Sequence, residues 1–369
     1  MPAFISSLGT AVPAFATEQR KIASFMIDNL QLNAEEARDL QVLYRASGIQ
    51  TRYSVLPDFQ QNGHVPFFQA QGKKVMPEVS KRMKVYEKES LKLSMSAFED
   101  ALNNCELAPS EITHLITVSC TGMYAPGLDI ELIEGLGLKT SIQRTNINFM
   151  GCYAAFNALK SAYYIVNADP DANVAVVCVE LCSIHYQDKT DEDTLLANAL
   201  FGDGSAVALV TAGKRGPVEL EITRMFSDLA LHAKEEMTWH VGDFGFNMKL
   251  SGNVPDVIQE GISELTSHLL SSLSLDLSRI DFFAIHPGGK RILEVIEDEL
   301  SLSKEDNKYA RHILKNFGNM SSPTILFVLH RLWQQLSSLD DGKNVLSFAF
   351  GPGLTLESML MSVKTHQDA

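Results

Sequence analysis

The sequence predicts an α/β fold in which mixed β-sheets are buried between layers of helices. Two observations indicate this: short apolar runs suited to strands covered on both faces, and longer segments with helical periodicity that separate those runs. The composition agrees, because 45% hydrophobic and 21% charged residues are typical of a packed globular protein. The length of 369 residues allows two domains or one large duplicated domain.

The predicted elements alternate along the chain. Buried strands are predicted over residues 115–120, 173–182, 205–211, 281–285 and 345–350. Helices are predicted from apolar spacing over residues 91–102, 128–136 and 255–275. Residues 56–80 lack a clear period and are predicted to be a loop or excursion. The Gly- and Pro-containing stretch at 212–217 predicts a boundary between residues 1–215 and 216–369.

The charge balance argues against several kinds of partner. The chain has 31 basic and 45 acidic residues, a net charge of −14, and no basic run. Such a surface repels nucleic acid and anionic membranes, so neither is expected to bind. The N-terminus lacks a basic start before its apolar stretch, and no apolar run reaches the roughly 18 residues that a membrane span needs. We therefore expect a cytoplasmic protein.

The cysteines indicate free thiols rather than a metal or redox site. Their number is odd and no Cys-x-x-Cys pair occurs, which argues against a zinc site. Buried free thiols in a reducing compartment are the ordinary interpretation. The five are Cys105, Cys120, Cys152, Cys178 and Cys182.

Cys152 differs from the other cysteines in its local context. A short strand-like segment, 145–148, precedes it, and a helix that is apolar on most sides follows from Ala154. The sulfur is therefore expected near a helix N-terminus, where the helix dipole and free N–H groups favour a thiolate. A thiolate is the nucleophile that acyl transfer from a thioester needs. The segment alone also fits a small core cysteine packed behind a helix.

Two further polar residues stand at glycine-rich turns. His286 ends an apolar strand and begins a Pro-Gly-Gly turn, where a rigid strand end and glycines would let a substrate approach closely. Asn319 directly precedes a predicted helix that Ser321 or Ser322 can cap, with Pro323 in its first turn. Taken singly, His286 also fits a packing role, and Asn319 also fits an ordinary turn.

A fourth turn follows the last predicted strand. Residues 347–350 end in Gly351-Pro352-Gly353, a rigid corner that does not fit a phosphate-binding loop. We expect this corner to shape a wall and to position a backbone N–H.

The four segments occur in the order Cys, His, Asn, Gly-Pro-Gly. Together with Ala-Leu-Phe-Gly-Asp-Gly at 199–204, they closely resemble the type III polyketide synthases, the chalcone synthase-like family of the thiolase fold. The resemblance extends from about Ser47 to Leu360. It implies a five-layered αβαβα core built from two similar halves, one carrying the cysteine and the other the histidine and asparagine. It also implies a homodimer with a buried active site in each subunit.

The resemblance implies a set of catalytic roles. Cys152 is expected to carry the starter and the growing chain, with His286 as its partner in a thiolate–imidazolium pair. His286 and Asn319 are expected to donate hydrogen bonds to the enolate oxygen formed when malonyl-CoA loses CO2. An acyl-CoA starter and malonyl-CoA are the expected substrates, with no metal or prosthetic group. The expected product is a pyrone, a resorcinol or a phloroglucinol-type ring.

The resemblance also implies residues that contact the substrates. Phe201 and Phe246 correspond to the family's two gatekeeper phenylalanines, and Arg45 and Arg52 are the nearest candidates for holding the CoA phosphates. The remaining candidates for the substrate cavity are Thr121, Ala125, Cys182, His185, Ser321 and Gly353.

Several of these positions depart from the plant enzymes. Cys182 and His185 stand where plant chalcone synthases have small hydroxyl residues, a pattern that resembles the bacterial branch. His185 is therefore expected to add a bulky polar group to the cavity. Ala125 stands where many members have a methionine that reaches into the neighbouring subunit's pocket. Changing the size of either residue is expected to alter starter choice or chain length.

Three other functions share parts of this pattern. A ketoacyl-ACP synthase of the same fold uses Cys, His and Asn for a single condensation. A cysteine hydrolase can use a Cys-His-Asn triad. A non-catalytic homologue would bind acyl-CoA without acylation of Cys152. The Asn-Met-Ser-Ser and Phe-Gly-Pro-Gly motifs favour the polyketide synthases.

Overall fold

The computed structural model describes residues 1–60, 67–70 and 73–366. The strands are β1 Phe4–Ala11, β2 Phe15–Glu18, β3 Thr51–Ser54, β4 Gln69–Ala70, β5 Lys73–Lys74, β6 His114–Ser119, β7 Gln143–Asn148, β8 Asn173–Leu181, β9 Asp203–Thr211, β10 Val218–Leu229, β11 Met237–Gly242, β12 Gly245–Leu250, β13 Phe282–Ile285, β14 Asn344–Gly351 and β15 Thr355–Thr365. The α-helices are α1 Gln19–Leu30, α2 Ala34–Ala46, α3 Val79–Asn103, α4 Leu128–Leu136, α5 Ala154–Ala168, α6 Glu192–Leu200, α7 Val254–Ser271, α8 Lys290–Glu299, α9 Lys308–Phe317 and α10 Thr324–Trp333.

One continuous sheet runs through the molecule in the order β13-β14-β15-β10-β1-β9-β8-β6-β7. The β1–β10 pairing in its middle joins two halves of similar topology. In the first half, β1, β9 and β8 pair antiparallel, and β6 and β7 then continue in parallel. In the second half, β10, β15 and β14 pair antiparallel, and β13 continues in parallel. The strand order therefore shows a duplicated unit.

The helices and the two halves of this sheet form five layers in the order helix, sheet, helix, sheet, helix. Helices α5 and α10 occupy the middle layer: α5 packs on β6 and β8 of the first half, and α10 packs on both β9 and β13. Helix α3 covers the other face of the first half, and α7 covers β10 and β15 of the second. Among the described residues, no helix is both long and apolar enough to cross a membrane.

Strand β8 shows why the apolar runs predicted buried strands. Val174, Val176 and Cys178 belong to the same core as the middle helix α5. Ala175 and Val177 face the core beneath α3. Because successive side chains point to opposite faces, a strand with a helix on each side needs an apolar residue at nearly every position.

Most predicted elements are confirmed, with shifts at their ends. The strands at 115–120, 173–182, 205–211, 281–285 and 345–350 correspond to β6, β8, β9, β13 and β14. The helices at 91–102, 128–136 and 255–275 correspond to α3, α4 and α7. The pattern did not predict β1, β10, β15 or the β11–β12 hairpin. The predicted loop at 56–80 lies partly outside the described residues, and its described part includes β4, β5 and the start of α3.

Strand β1 lies close to helix α3 at Gly9. A Cβ added to Gly9 would lie 2.2 Å from the Ala101 nitrogen and from the Ala97 carbonyl oxygen, both backbone atoms of α3. Because backbone atoms cannot rotate away, we expect Gly9→Ala to lower the free energy of unfolding by at least about 2 kcal/mol. Urea unfolding followed by circular dichroism measures this change.

Gly213→Ala is the matched control for this prediction, since no atom lies within 4 Å of a Cβ added there. We expect its unfolding curve to overlay that of the unmodified protein. Equal curves for the two variants would contradict the packing of β1 on α3.

Candidate active site

Cys152 lies in a tight turn between β7 and α5. The turn contains two left-handed residues, Phe149 with a φ of 58° and Gly151 with a φ of 83°. A Cβ on Gly151 would lie 2.1 Å from Cδ of Pro352, so the corner after β14 packs directly on the turn. The Gly151 N–H donates to the Cys120 sulfur at 2.9 Å. The turn is thus fixed from both halves, and Cys152 is buried within it.

Asn319 lies in the connection between α9 and α10. Its backbone follows Gly318, whose φ is 72°. The side-chain Oδ1 accepts from the Ser321 N–H at 2.8 Å, and Nδ2 donates to the Gly288 carbonyl at 3.2 Å. These two bonds define which end of the amide is the donor. The amide Nδ2 lies 3.9 Å from the Cys152 sulfur.

His286 lies at the end of β13, where its N–H donates to the Phe348 carbonyl at 2.8 Å. Within the described part of the chain, both ring nitrogens are buried and have no hydrogen-bond partner. Gly288, which accepts from Asn319, is two residues further on. The structure therefore brings the segments that carry Cys152, His286 and Asn319 together, as the resemblance implies.

Burial acts on the protonation of both Cys152 and His286. Burial raises the pKa of the Cys152 thiol to about 11, against the opposing hydrogen bonds of Ser321 and Asn319. Burial lowers the pKa of His286 to about 3. Both shifts favour a neutral thiol and a neutral imidazole in the resting site, because burial disfavours charge. The thiolate–imidazolium pair stays a prediction.

The two gatekeeper candidates both line the cavity beside Cys152. Phe201 follows α6 and forms a bridge with Asn319 through the backbone. Phe246 lies in the β11–β12 hairpin, where its ring stacks on His185 with centroids 4.0 Å apart. Trp239 of the same hairpin donates to the Cys120 carbonyl at 2.7 Å, which holds the hairpin over the site.

His185 lines the cavity but does not offer it a free polar group. Its Nδ1 accepts from the Phe246 N–H at 3.0 Å, so the proton is on Nε2, which donates to the Thr121 carbonyl at 2.6 Å. Burial lowers its pKa to about 3, so the ring is neutral. The expectation of a polar group added to the cavity is corrected: both nitrogens are bound to backbone, and the ring positions Phe246.

The cavity has a volume of about 80 Å³, smaller than a typical ligand pocket. Its lining is mostly apolar, which disfavours water inside it. The candidate residues that line it are Thr121, Cys152, Cys182, His185, Phe201, Phe246, Ser321 and Arg52. Apolar side chains that extend it include Ile22, Met26, Phe59, Trp239 and Met248.

Five candidates do not line this cavity: Arg45, His286, Asn319, Ala125 and Gly353. His286 and Asn319 are not part of its wall, and Asn319 reaches it through its contact with Cys152. Ala125 is exposed in the loop after β6. Gly353 is next to Pro352, which does line the cavity. Within the described residues, no group of three or more His, Cys, Asp or Glu is arranged to hold a metal ion.

The two arginines occupy different environments. Arg45 is exposed on α2 and borders a surface groove. Arg52 is only 6% exposed, and its Nη1 donates to the Phe201 carbonyl at 2.5 Å. The guanidinium of Arg52 is therefore buried at the cavity wall, and its role as a CoA-phosphate ligand stays a prediction.

Glu180 was not among the predicted site residues. It is the next-to-last residue of β8, is fully buried, and accepts hydrogen bonds from the Thr121 hydroxyl at 2.8 Å and the Ser322 hydroxyl at 2.6 Å. It also accepts from the Cys120 N–H at 2.9 Å. Burial raises its pKa to about 7. A single carboxylate in an otherwise apolar run was the signal that could have identified it.

Comparison with known proteins agrees with this geometry. Residues 1–214 match the N-terminal domain of the chalcone and stilbene synthases, and residues 223–364 match the C-terminal domain. The alpha-pyrone synthesis polyketide synthase-like protein Pks18 of Mycobacterium tuberculosis is 32% identical over 365 residues. This alignment covers 98% of this chain and 91% of Pks18.

Two solved structures are similar over nearly their whole length. The C-terminal type III polyketide synthase domain of Steely1, a type I/III hybrid from Dictyostelium, superposes with a TM-score of 0.90 at 26% identity, covering 98% of this chain and 99% of that one. PKS-I from the brown alga Ectocarpus siliculosus gives a TM-score of 0.89 at 29% identity, covering 98% of each chain. The chain therefore belongs to the chalcone and stilbene synthase family, and it is an acyltransferase of the type III polyketide synthase class.

Proposed function

We propose that the enzyme loads an acyl group from a CoA thioester onto Cys152, extends it repeatedly with malonyl-CoA, and forms a pyrone, resorcinol or phloroglucinol-type product. One observation carries the proposal: the Asn319 amide lies within 4 Å of the Cys152 sulfur and binds the loop that follows His286. Among the three product types, the similarity to a relative named for alpha-pyrone synthesis favours a pyrone.

Loading of Cys152 begins from two neutral groups. His286 has an unoccupied ring nitrogen that accepts the thiol proton as the thioester carbonyl arrives. The sulfur then attacks the carbonyl carbon, the bond to the CoA sulfur breaks, and the departing CoA thiolate takes the proton from His286. The starter remains on Cys152, and the imidazole is neutral again.

Decarboxylation of malonyl-CoA generates the carbon nucleophile. The bond to the carboxylate breaks, CO2 leaves, and its electron pair forms an enolate with negative charge on the thioester oxygen. The second hydrogen of Asn319 Nδ2 and the ring N–H of His286 donate to that oxygen. One such donor contributes about 3 kcal/mol in a site that excludes water.

Condensation lengthens the chain by two carbons. The enolate carbon attacks the acyl carbonyl on Cys152, and the Cys152 thiolate leaves. The extended chain is then a CoA thioester, and its transfer back to Cys152 starts the next round. The low water content of the cavity protects the enolate from protonation before it attacks.

The proposal includes CoA thioesters as the only small molecules that the reaction needs, a cytoplasmic location, and a homodimer. In that dimer, Ala125 would face the neighbouring subunit's cavity. Its exposed position outside the cavity of its own chain supports this arrangement.

Incubation of the enzyme with acyl-CoA and radiolabelled malonyl-CoA separates the proposal from its rivals. We expect products that contain several malonyl-derived units. A single extension that depends on an acyl carrier protein would indicate a ketoacyl-ACP synthase, and release of CoA without extension would indicate a hydrolase. Binding without acylation of Cys152 would indicate a non-catalytic homologue.

Cys152→Ala is expected to abolish acyl loading, because the variant has no nucleophile. Intact-protein mass spectrometry after incubation with an acyl-CoA measures the added mass. Cys105→Ala is the control, since Cys105 follows α3 and does not line the cavity, and it should load normally. An acylated Cys152→Ala protein would exclude this cysteine as the carrier.

Asn319→Ala is expected to slow malonyl-CoA decarboxylation by about a hundredfold or more, because an enolate donor is lost. Loading of Cys152 should change much less. Asn316→Ala is the matched control, because the half-buried Asn316 side chain donates to the His312 carbonyl within α9 and does not line the cavity. Release of CO2 and acylation are followed in parallel; a decarboxylation rate equal to that of the unmodified enzyme would remove Asn319 from this step.

The resting thiol of Cys152 predicts a distinctive pH dependence. Only the thiolate reacts with iodoacetamide, and its fraction rises tenfold per pH unit below the pKa of about 11. The alkylation rate of the Cys152 peptide should therefore rise steadily from pH 6 to pH 9. A rate that is already constant near pH 6 would show a thiolate–imidazolium pair in the free enzyme.

A further inference from the structure

Arg52 is an unusual residue for the position it occupies. It lies on β3, is 6% exposed, and lines the cavity that contains Cys152. Burial lowers the pKa of its guanidinium. This buried cation donates hydrogen bonds to two neutral groups: Nη1 to the Phe201 carbonyl at 2.5 Å, and Nε to Oε1 of Gln19 at 2.9 Å.

A carboxylate that interacts with Arg52, that of Asp203, accepts hydrogen bonds from other donors. Asp203 acts on Arg52 electrostatically, but its Oδ2 accepts from the Val55 N–H at 2.8 Å and its Oδ1 from the Ser183 N–H at 2.7 Å. Nη1 and Nε of the guanidinium are thus bound to acceptors that fix its direction, while the buried Nη2 has no hydrogen-bond partner among the described residues. A charged donor makes a shorter and stronger hydrogen bond to a carbonyl than a neutral donor does.

The Phe201 carbonyl that Arg52 binds belongs to a segment that also holds Asn319. The Asn319 N–H donates to the Leu200 carbonyl at 3.0 Å, and the Gly202 N–H donates to the Asn319 carbonyl at 2.9 Å. Arg52 therefore binds the middle residue of a three-residue segment, and the two outer residues hold the backbone of Asn319.

The methylene stem of Arg52 contacts the same region from the other side. A Cβ added to Gly318 would lie 2.9 Å from Cγ and 3.0 Å from Cδ of Arg52. The stem therefore fills the space beside the residue that immediately precedes Asn319. Both the stem and the guanidinium constrain where the Asn319 amide can lie.

We propose that Arg52 is a positioning residue for condensation, which sets the location of the Phe201 ring in the cavity and of the Asn319 amide beside Cys152. This inference rests on the proposed function. It replaces the role of CoA-phosphate ligand with one inside the protein. Lysine cannot reproduce it, because a single ammonium lacks the fixed fork that lets Nε and Nη1 bind two acceptors at once.

The test compares two partial reactions in Arg52→Met and Arg52→Lys. Methionine keeps an unbranched stem but has no donor, and lysine keeps the charge. We expect Arg52→Met to lower malonyl-CoA decarboxylation by about tenfold or more, while acylation of Cys152 falls less than about threefold. Arg52→Lys should lie between Arg52→Met and the unmodified enzyme. Arg38→Met, on the exposed surface of α2, is the matched control and should leave both rates unchanged.

A double variant tests whether Arg52 acts through Asn319. If it does, decarboxylation by Arg52→Met combined with Asn319→Ala should be no slower than by Asn319→Ala alone. Additive losses would overturn the inference. So would equal losses in acylation and decarboxylation, since these would show general damage to the fold. Should Arg52→Met fail to fold, Arg52→Lys alone must still show decarboxylation falling more than acylation.

Comparing malonyl-CoA with a shorter malonyl thioester distinguishes a positioning role of Arg52 from a role in binding CoA. Malonyl N-acetylcysteamine lacks the CoA phosphates, and the decarboxylation defect of Arg52→Met should persist with it. A rise in KM for malonyl-CoA, with normal kinetics on the short thioester, would make Arg52 a phosphate ligand and overturn the inference. If the unmodified enzyme fails to decarboxylate malonyl-CoA, the proposed function itself fails. Normal decarboxylation by both the unmodified enzyme and Arg52→Met overturns only the role of Arg52.

Discussion

Exclusion of water from the space around Cys152 is the constraint on which the active site depends. Cys152, His286 and Asn319 are 5%, 1% and 2% exposed, so little solvent can stabilise a charge on any of them. Burial raises the pKa of the thiol and lowers that of the imidazole, which favours neutral resting groups. The same dryness strengthens each hydrogen bond to an enolate and keeps water away from it. Charge therefore appears only during the reaction, next to hydrogen-bond donors that are already in position.

Neutral groups in a dry site must be held by the surrounding backbone. Glu180 joins the loop after β6 to the start of α10 by accepting from Thr121 and Ser322. Arg52 holds the segment that flanks Asn319. The β11–β12 hairpin covers the site through the Trp239 bond to Cys120. Each of these contacts joins parts of the chain that are far apart in sequence, so the geometry of the site depends on the complete fold.

The sequence predicted those parts of the molecule whose local pattern reflects their environment. A strand covered on both faces has to be apolar at nearly every position, which is why β8 and β9 could be identified. Cys152, His286 and Asn319 were recognisable because glycine-rich turns follow or precede each of them. Strands β10 and β15 were missed because polar residues interrupt their apolar positions. The same applies to the β11–β12 hairpin, which has no continuous buried face.

The role of a residue whose partner is distant in the sequence could not be predicted from the local sequence pattern. Arg52 resembles a surface cation in the sequence, and only the fold shows that its guanidinium meets Phe201, 149 positions away. His185 resembles a polar cavity residue, yet both of its nitrogens bind backbone from other loops. The charge of a thiol–imidazole pair likewise depends on burial, which helix position alone does not determine.

Mass spectrometry of the peptide that contains Cys152, quenched during turnover with an acyl-CoA and malonyl-CoA, tests the central claim most directly. Repeated condensation on one thiol predicts that this peptide carries the starter first and then the starter extended by successive two-carbon ketide units. A peptide that carries only the starter while extended products accumulate in solution would contradict it, as would extended chains attached to a different cysteine.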